Sequence, residues 1–337
     1  KYTRVLAPWF NMINTFLFGG LTQHGEMVGN VCADINGMGG GALADRDGEH
    51  GCSPIFATMS DIGEQEFIEE EMPFIQIVSK KMMRDNQGFG RQRGGMGYQM
   101  VLAMRDSPAF GFMLTAMGAK FPNIPGLFGG YGCPTYPLAR VSGVDVFEIL
   151  KTDPGSFRYS IEELMNDRPF KDAKYSTHPM TLGYTLASRG ELYMISQGTG
   201  GGFGDPLDRK PEDVIRDLDE DLITHDVAWR VYRVVYDNET LHVDEQATEE
   251  AREIMRRERI AKSKPFDAFC KEWVKDKPNG KGPYYGSGDD RGMVHTGSPD
   301  TLQTAEQINP PVVMAHPRQV KIDRLEAELA ACRKQQG

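Results

Sequence analysis

Glycine comes in bunches in this chain, and that limits its folding choices more than any other feature. Gly37-Met38-Gly39-Gly40-Gly41, Gly94-Gly95-Met96-Gly97, Gly126-Leu127-Phe128-Gly129-Gly130 and Gly198-Thr199-Gly200-Gly201-Gly202-Phe203-Gly204 recur through the first two thirds of the sequence. Stretches so poor in side chains cannot fill a core, so their bare backbone must come close to something else. The 38 glycines and 20 prolines make 58 of 337 residues, about 17% against an ordinary share near 12%. The pattern is too aperiodic for a collagen-like helix. It predicts short elements joined by many tight turns, and Gly201 is expected to need a positive φ.

The charge balance narrows the function class. Lys and Arg number 38 against 48 Asp and Glu, a formal charge of −10, and the mean hydropathy is −0.46. Such a surface disfavours broad binding to nucleic acid or to anionic membrane, and no apolar run reaches the ~20 residues of a membrane-spanning helix. Five cysteines (Cys32, Cys52, Cys133, Cys270, Cys332) are an odd number with no CxxC pair. They read as free thiols of a reducing compartment, and they argue against a zinc site built within this sequence. The first residue is Lys1, and the chain is expected to be a segment of a longer one.

Strand-like alternation occurs at 74–79, 98–104 and 112–117, and Glu191–Gln197 runs as a strand straight into the glycine loop at 198. Residues 140–180 are mixed and read as an insertion carrying a short helix near 161–166. Helical signals then take over. Pro211 suits a first turn with Glu212 and Asp213 behind it, and Thr224 can cap a second helix. A third, about 248–261, is expected to turn Ala247, Ala251, Ile254 and Met255 inward. Residues 275–318 read as irregular, and 320–334 as a last helix. The expected class is α+β: a glycine-rich mixed β-sheet core over 1–206, a helical region over 207–264, and an irregular arm over 265–337 ending in that helix.

The chemistry-bearing candidates sit beside the glycines. The loop 198–204, with Gly200, Gly201 and Gly202 at its centre and Asp205 after it, offers backbone N–H groups that can cradle an anion. It lacks the Gly-Lys-Ser/Thr of a phosphate-binding loop, and Phe203 stands where a dinucleotide fingerprint has its third glycine. Close packing is the alternative role for it, as capping is for Asp205. Gly39 and Gly40 form a similar patch. Arg91 and Arg93 flank a basic loop able to grip a phosphate or carboxylate with two guanidinium groups, or simply to be solvated. No histidine has HxH or HExxH spacing. His24, near Glu26, and His50, near Asp45 and Asp47, are the acid/base candidates. The run Glu64–Glu71 reads as a solvated face. Nothing marks Cys52 or Cys133 as activated.

Taken in order, the patch 37–51, the run Phe89–Gly97, the turn 126–130 and the stretch Gly198–Arg209 resemble the C-terminal half of the hydantoinase B / 5-oxoprolinase family, over roughly residues 15–240. The helix after Ala247 is similar to that of the ketone-carboxylase branch, which holds acetone and acetophenone carboxylases. The segment at 140–180 leans the resemblance towards the acetophenone type. The resemblance implies a cytoplasmic, multi-subunit, ATP-dependent ligase that forms a carbon–carbon bond alpha to a ketone from bicarbonate. A hydantoinase-A-like partner would bind the ATP, and a small zinc-binding subunit is a further implied partner. Any divalent metal would lie outside this segment, so no metal ligand is assigned here. The same family resemblance leaves open an ATP-dependent cyclic-amide hydrolase subunit, or a non-catalytic scaffold.

Overall fold

The computed structural model describes residues 5–9, 16–22, 24–32, 37–52, 74–114, 124–134, 138–178 and 182–275. The acidic run 64–71, the arm 276–318 and the expected last helix lie outside them. Among the described residues nine strands form two antiparallel sheets. One has the order β2-β1-β5-β8, from β1 (Phe16–Leu21), β2 (Met27–Cys32), β5 (Phe110–Leu114) and β8 (Leu182–Leu186). The other has the order β3-β4-β9-β6-β7, from β3 (Ile75–Met82), β4 (Tyr98–Met104), β6 (Leu138–Ser142), β7 (Lys174–His178) and β9 (Leu192–Ser196). The α+β class holds, but every pairing within these sheets is antiparallel rather than mixed.

Strand β4 explains the layering. It is buried along its whole length, so both faces must be apolar. Tyr98, Met100, Leu102 and Met104 meet Phe16, Phe18, Phe110 and Phe112 of the facing sheet, with Phe16 and Phe112 stacked at 4.9 Å. Val101 and Ala103 look the other way, onto a second core with Val146, Ile161, Leu164 and Met165. Those residues belong to helices α1 (Val146–Thr152) and α2 (Ile161–Asp167). Residues 140–180 are therefore not an insertion: β6 pairs with both β7 and β9, and the two helices cover the sheet. Helix α2 starts where Ser160 Oγ accepts the Glu163 N–H.

Helices α3 (Pro211–Asp219) and α4 (His225–Arg230) enclose a third, small core of Val214, Ile223, Ala228 and Tyr232. Thr224 caps α4, as its sequence suggested. Helix α5 (Glu245–Lys262) departs from expectation. Ile254 is exposed, and the residues it buries are Thr248 and Arg252. This face docks on main-chain carbonyls, which need donors rather than hydrocarbon: Arg252 donates to the carbonyls of Tyr232 and Arg209, and Arg256 to that of Leu207. Arg259, one turn on, grips Asp205 and reaches the Tyr131 hydroxyl. Helix α6 (Phe266–Lys275) then opens the stretch expected to be irregular.

The glycine bunches meet one another. Their segments cross backbone on backbone: Gly40 N–H donates to Glu49 O, Gly95 N–H to Gly40 O, Gly200 N–H to Gly95 O and Gly88 N–H to Gly200 O. A methyl group added at Gly39, Gly95 or Gly200 would overlap a backbone carbonyl of Gly95, Glu49 or Gly40. Gly201 has no positive φ; its requirement is space, since a Cβ there would lie 2.5 Å from Pro125 O. The left-handed residue of the loop is Gly204, at φ +77°.

Gly200→Ala should therefore cost about 3 kcal/mol or more, because the obstacle is backbone and cannot swing aside. Gly155→Ala, with nothing nearer than 3.7 Å to the new carbon, should stay within about 1 kcal/mol. Chemical denaturation of the two variants checks the contrast.

Candidate functional site

Charged side chains lie sealed against the glycine layers. Arg209 is fully buried, as is the Asp217 carboxylate, and the Arg93 side chain is 6% exposed. Arg209 grips Asp47 with two hydrogen bonds of 2.8 Å and gives a third, also 2.8 Å, to Asp217. Arg93 donates Nε–H to the other oxygen of Asp217 at 2.9 Å and its backbone N–H to Asp47 at 2.8 Å. Two arginines thus neutralise two aspartates around a closed circuit, the condition for keeping such charges out of water. Burial pushes the Asp47 carboxyl up, but the hydrogen bonds and charge of Arg209 outweigh it and hold it below its ordinary 3.8. The Tyr232 ring lies under Arg209, 5.9 Å from the guanidinium carbon, and among the described residues its buried hydroxyl has no hydrogen-bond partner. Burial raises the pKa of that phenol.

The circuit joins residues from distant parts of the chain, 162 positions apart for Asp47 and Arg209. Asp47, Arg209, Asp217 and Tyr232 were not singled out as site residues. The available signal was Arg209 closing the GGGFGDPLDR run; Asp217 and Tyr232 look like ordinary helix residues. Arg93 belongs to the circuit, whereas Arg91 points outward and donates to Ala44 O. The two guanidinium groups therefore do not converge on one anion.

His50 sits on the rim of the same layers. Its Nδ1 accepts the Met96 N–H at 2.9 Å. Burial, then the Arg93 charge, push the imidazole down to about 4, with Asp47 opposing. His24 is elsewhere, exposed in the turn between β1 and β2, where its N–H donates to Thr22 Oγ1. The amides of Gly39, Gly40, Gly200, Gly201 and Gly202 already donate to the carbonyls of Gly198, Glu49, Gly95, Pro8 and Tyr131. Asp205 caps the turn at Leu207 and pairs with Arg259. Those committed amides do not fit a nucleotide phosphate. Among the described residues no group of three or more His, Cys, Asp or Glu could hold a metal ion. The Cys133 thiol is pushed up to about 11 by burial, against opposing hydrogen bonds from Thr199, and Cys52 is also raised by burial. Neither is an activated nucleophile.

Residues 2–206, more than half of the chain, match the Hydantoinase B/oxoprolinase family. The chain belongs to that family. The motif order that suggested it is therefore borne out. The acetophenone carboxylase delta subunit of Aromatoleum aromaticum is 28% identical over 277 residues, 81% of this chain and 40% of that protein. The acetone carboxylase alpha subunit of Xanthobacter autotrophicus is 28% identical over 280 residues, 79% of this chain and 34% of that protein. The nucleotide-free structure of acetone carboxylase matches with a TM-score of 0.68 and 26% identity, over 82% of this chain and 37% of that one. The ATP-dependent caprolactamase of Pseudomonas jessenii shares the fold at a TM-score of 0.56 and 24% identity, over 74% of this chain and 38% of that one. This family member thus spans two fifths or less of the length of these relatives. No helix among the described residues is long and apolar enough to cross a membrane.

Two outcomes are expected. Asp217→Ala strands two buried guanidinium groups and should cost about 3–5 kcal/mol, read by denaturation. His50 binds its proton more weakly when folded than the ordinary 6.5. Its contribution is therefore neutral above pH 6.5, and stability falls as the pH drops from there towards 4. Melting curves at stepped pH should show that slope, and His50→Gln should flatten it.

Proposed function

We propose that this chain is part of a subunit of an ATP-dependent ketone carboxylase of the acetophenone or acetone type. The observation that carries the reading is the similarity to the acetophenone carboxylase delta subunit along 81% of the chain. The likeness to acetone carboxylase in three dimensions supports it. In the reaction a proton leaves the carbon alpha to the ketone, a carbon–carbon bond forms there to the carbon of bicarbonate, and a bicarbonate oxygen departs with phosphate. ATP is bound by a partner subunit of the hydantoinase-A type, consistent with glycine loops that are already filled by their own carbonyls. This chain contributes a stiff wall on the ketone side, and its accessible polar groups, His50 and Arg91, serve the organic substrate, while the buried Arg93 holds the ion circuit behind them. A cytoplasmic, hetero-oligomeric enzyme with a small zinc-binding partner completes the reading, and any divalent metal lies outside this segment.

The test is the full-length protein purified with its partners. Acetophenone or acetone with bicarbonate should stimulate ATP hydrolysis and place labelled bicarbonate carbon in an acid-stable product. Stimulation by hydantoin, 5-oxoproline or caprolactam alone, with no label fixed, would overturn the carboxylase assignment. Arg91→Ala should lower turnover at least tenfold. Unchanged kinetics in that variant would remove Arg91 from the substrate side.

A further inference from the structure

Strand β2 lies at the outside of its sheet, and its two sides are not alike. Thr22 N–H donates to Glu26 O at 2.8 Å across the turn from β1, while Leu21 N–H donates the other way, to Ala109 O at 2.7 Å beside β5. The register pairs Gly20 with Val28, Phe18 with Asn30 and Phe16 with Cys32. Alternation therefore sends the amides and carbonyls of Val28, Asn30 and Cys32 to β1, and those of Met27, Gly29 and Val31 away from the sheet. The Val31 N–H folds back onto Asn30 Oδ1 at 2.8 Å. The N–H groups of Met27 and Gly29 meet no acceptor among the described residues. Residues 24–31 are all exposed except the half-buried Val28.

A bare edge of this kind is a template for another strand, and proteins ordinarily blunt theirs with charge, proline or a bulge. The other edges among the described strands are blunted. Strand β3 breaks register between Ile77 and Ser79 and carries Lys80 and Lys81, β7 begins with Lys174, and β8 breaks register opposite Phe112 and Leu114. Strand β2, Met-Val-Gly-Asn-Val-Cys, has no such device. Its outer face shows Met27, 70% exposed, and Val31, 52% exposed, on either side of Gly29. Nothing in its own fold requires Gly29: its φ is not left-handed, and an added Cβ would meet no atom nearer than 3.5 Å. A glycine with room to spare inside a strand is a mark of close approach by another backbone.

We propose that β2 pairs with β2 of a second copy of this chain, antiparallel about a two-fold axis at Gly29, so that two four-stranded sheets join into one. The strand is complementary to itself in this register. Gly29 faces the partner's Gly29, and Met27 faces the partner's Val31 in both directions. The residues whose amides and carbonyls point outward thus become the hydrogen-bonded pairs. Asn30 gives up the Val31 N–H to the carbonyl of the partner's Met27. On the outer face Met27 and Val31 meet across the seam and prolong the apolar rows that begin at Leu21 and Leu17 of β1. Strand β2 holds no charged residue, so two copies of a chain with a net charge of −10 meet where repulsion is least.

The test uses the full-length chain, alone and in its complex. Gly29→Cys has room for its Cβ, and hydrogen-bonded partners in an antiparallel pair lie about 5.5 Å apart, within reach of a disulfide. Under mild oxidation this variant should give about tenfold more covalent dimer on a non-reducing gel than the unaltered chain. Val31→Cys alone should not, because it faces Met27, whereas Val31→Cys mixed with Met27→Cys should. Val31→Lys, at an exposed position, should weaken dimerisation about tenfold in sedimentation without lowering the melting temperature. No cross-link from Gly29→Cys, an equal one from Val31→Cys alone, or a complex holding one copy of the chain overturns the proposal. In a single-copy complex, slow hydrogen exchange at the Met27 and Gly29 amides would give the edge to a strand of another polypeptide, and fast exchange would leave it open; either result excludes the second copy.

Discussion

Carbonyl oxygen laid directly on glycine α-carbon is the contact from which this structure is built. Where Gly40, Gly95 and Gly200 cross, no side chain separates one strand of backbone from the next, and each amide finds its acceptor in the neighbouring segment. Buried amides left without acceptors would each cost free energy comparable to a lost hydrogen bond. The layers therefore form together or not at all. They bring residues near 40, 95, 130 and 200 to one place, and they fix the strands β4 and β9 that enter and leave them.

The ion circuit follows from those layers. Asp47 and Arg93 hang from crossing segments whose spacing is set by glycine, and Arg209 closes the circuit at the end of the 198–204 loop. A buried ion pair adds little net stability over an apolar filling. What it adds here is geometry: each carboxylate oxygen is assigned to one guanidinium, so the loops have one register. His50 inherits that fixed position, and its protonation state with it.

Much of the fold was legible in the sequence where local physics decides. Alternation placed β4 and β9, and proline, capping residues and periodicity placed α2, α3 and α4, because each signal lies within one turn or one strand. Strands β1 and β2 were not recognised, since Phe16–Leu21 and Met27–Cys32 carry glycine where a strand normally shows branched side chains. In β1 glycine is required at Gly20, where φ is +148° and an added Cβ would lie 2.2 Å from Ala109 O. The inward face of α5 was misread for a related reason: hydrophobic periodicity cannot report a helix whose docking groups are guanidinium ions. In the candidate site, the glycines and Arg93 were visible as a pattern, but the sequence could not say that the backbone donors would be consumed internally. The partnership of Asp47, Arg209 and Asp217 is set by tertiary pairing alone.

Arg252, Arg256 and Arg259 moor α5 to carbonyls and carboxylates of the segment 205–209 and to nearby polar groups. A helix fastened this way leaves behind a wet, hydrogen-bonding surface when it lifts, not an oily one. The attachment of α5 therefore depends on charge and hydrogen bonding more than on apolar contact, and is the more sensitive to ionic strength for it.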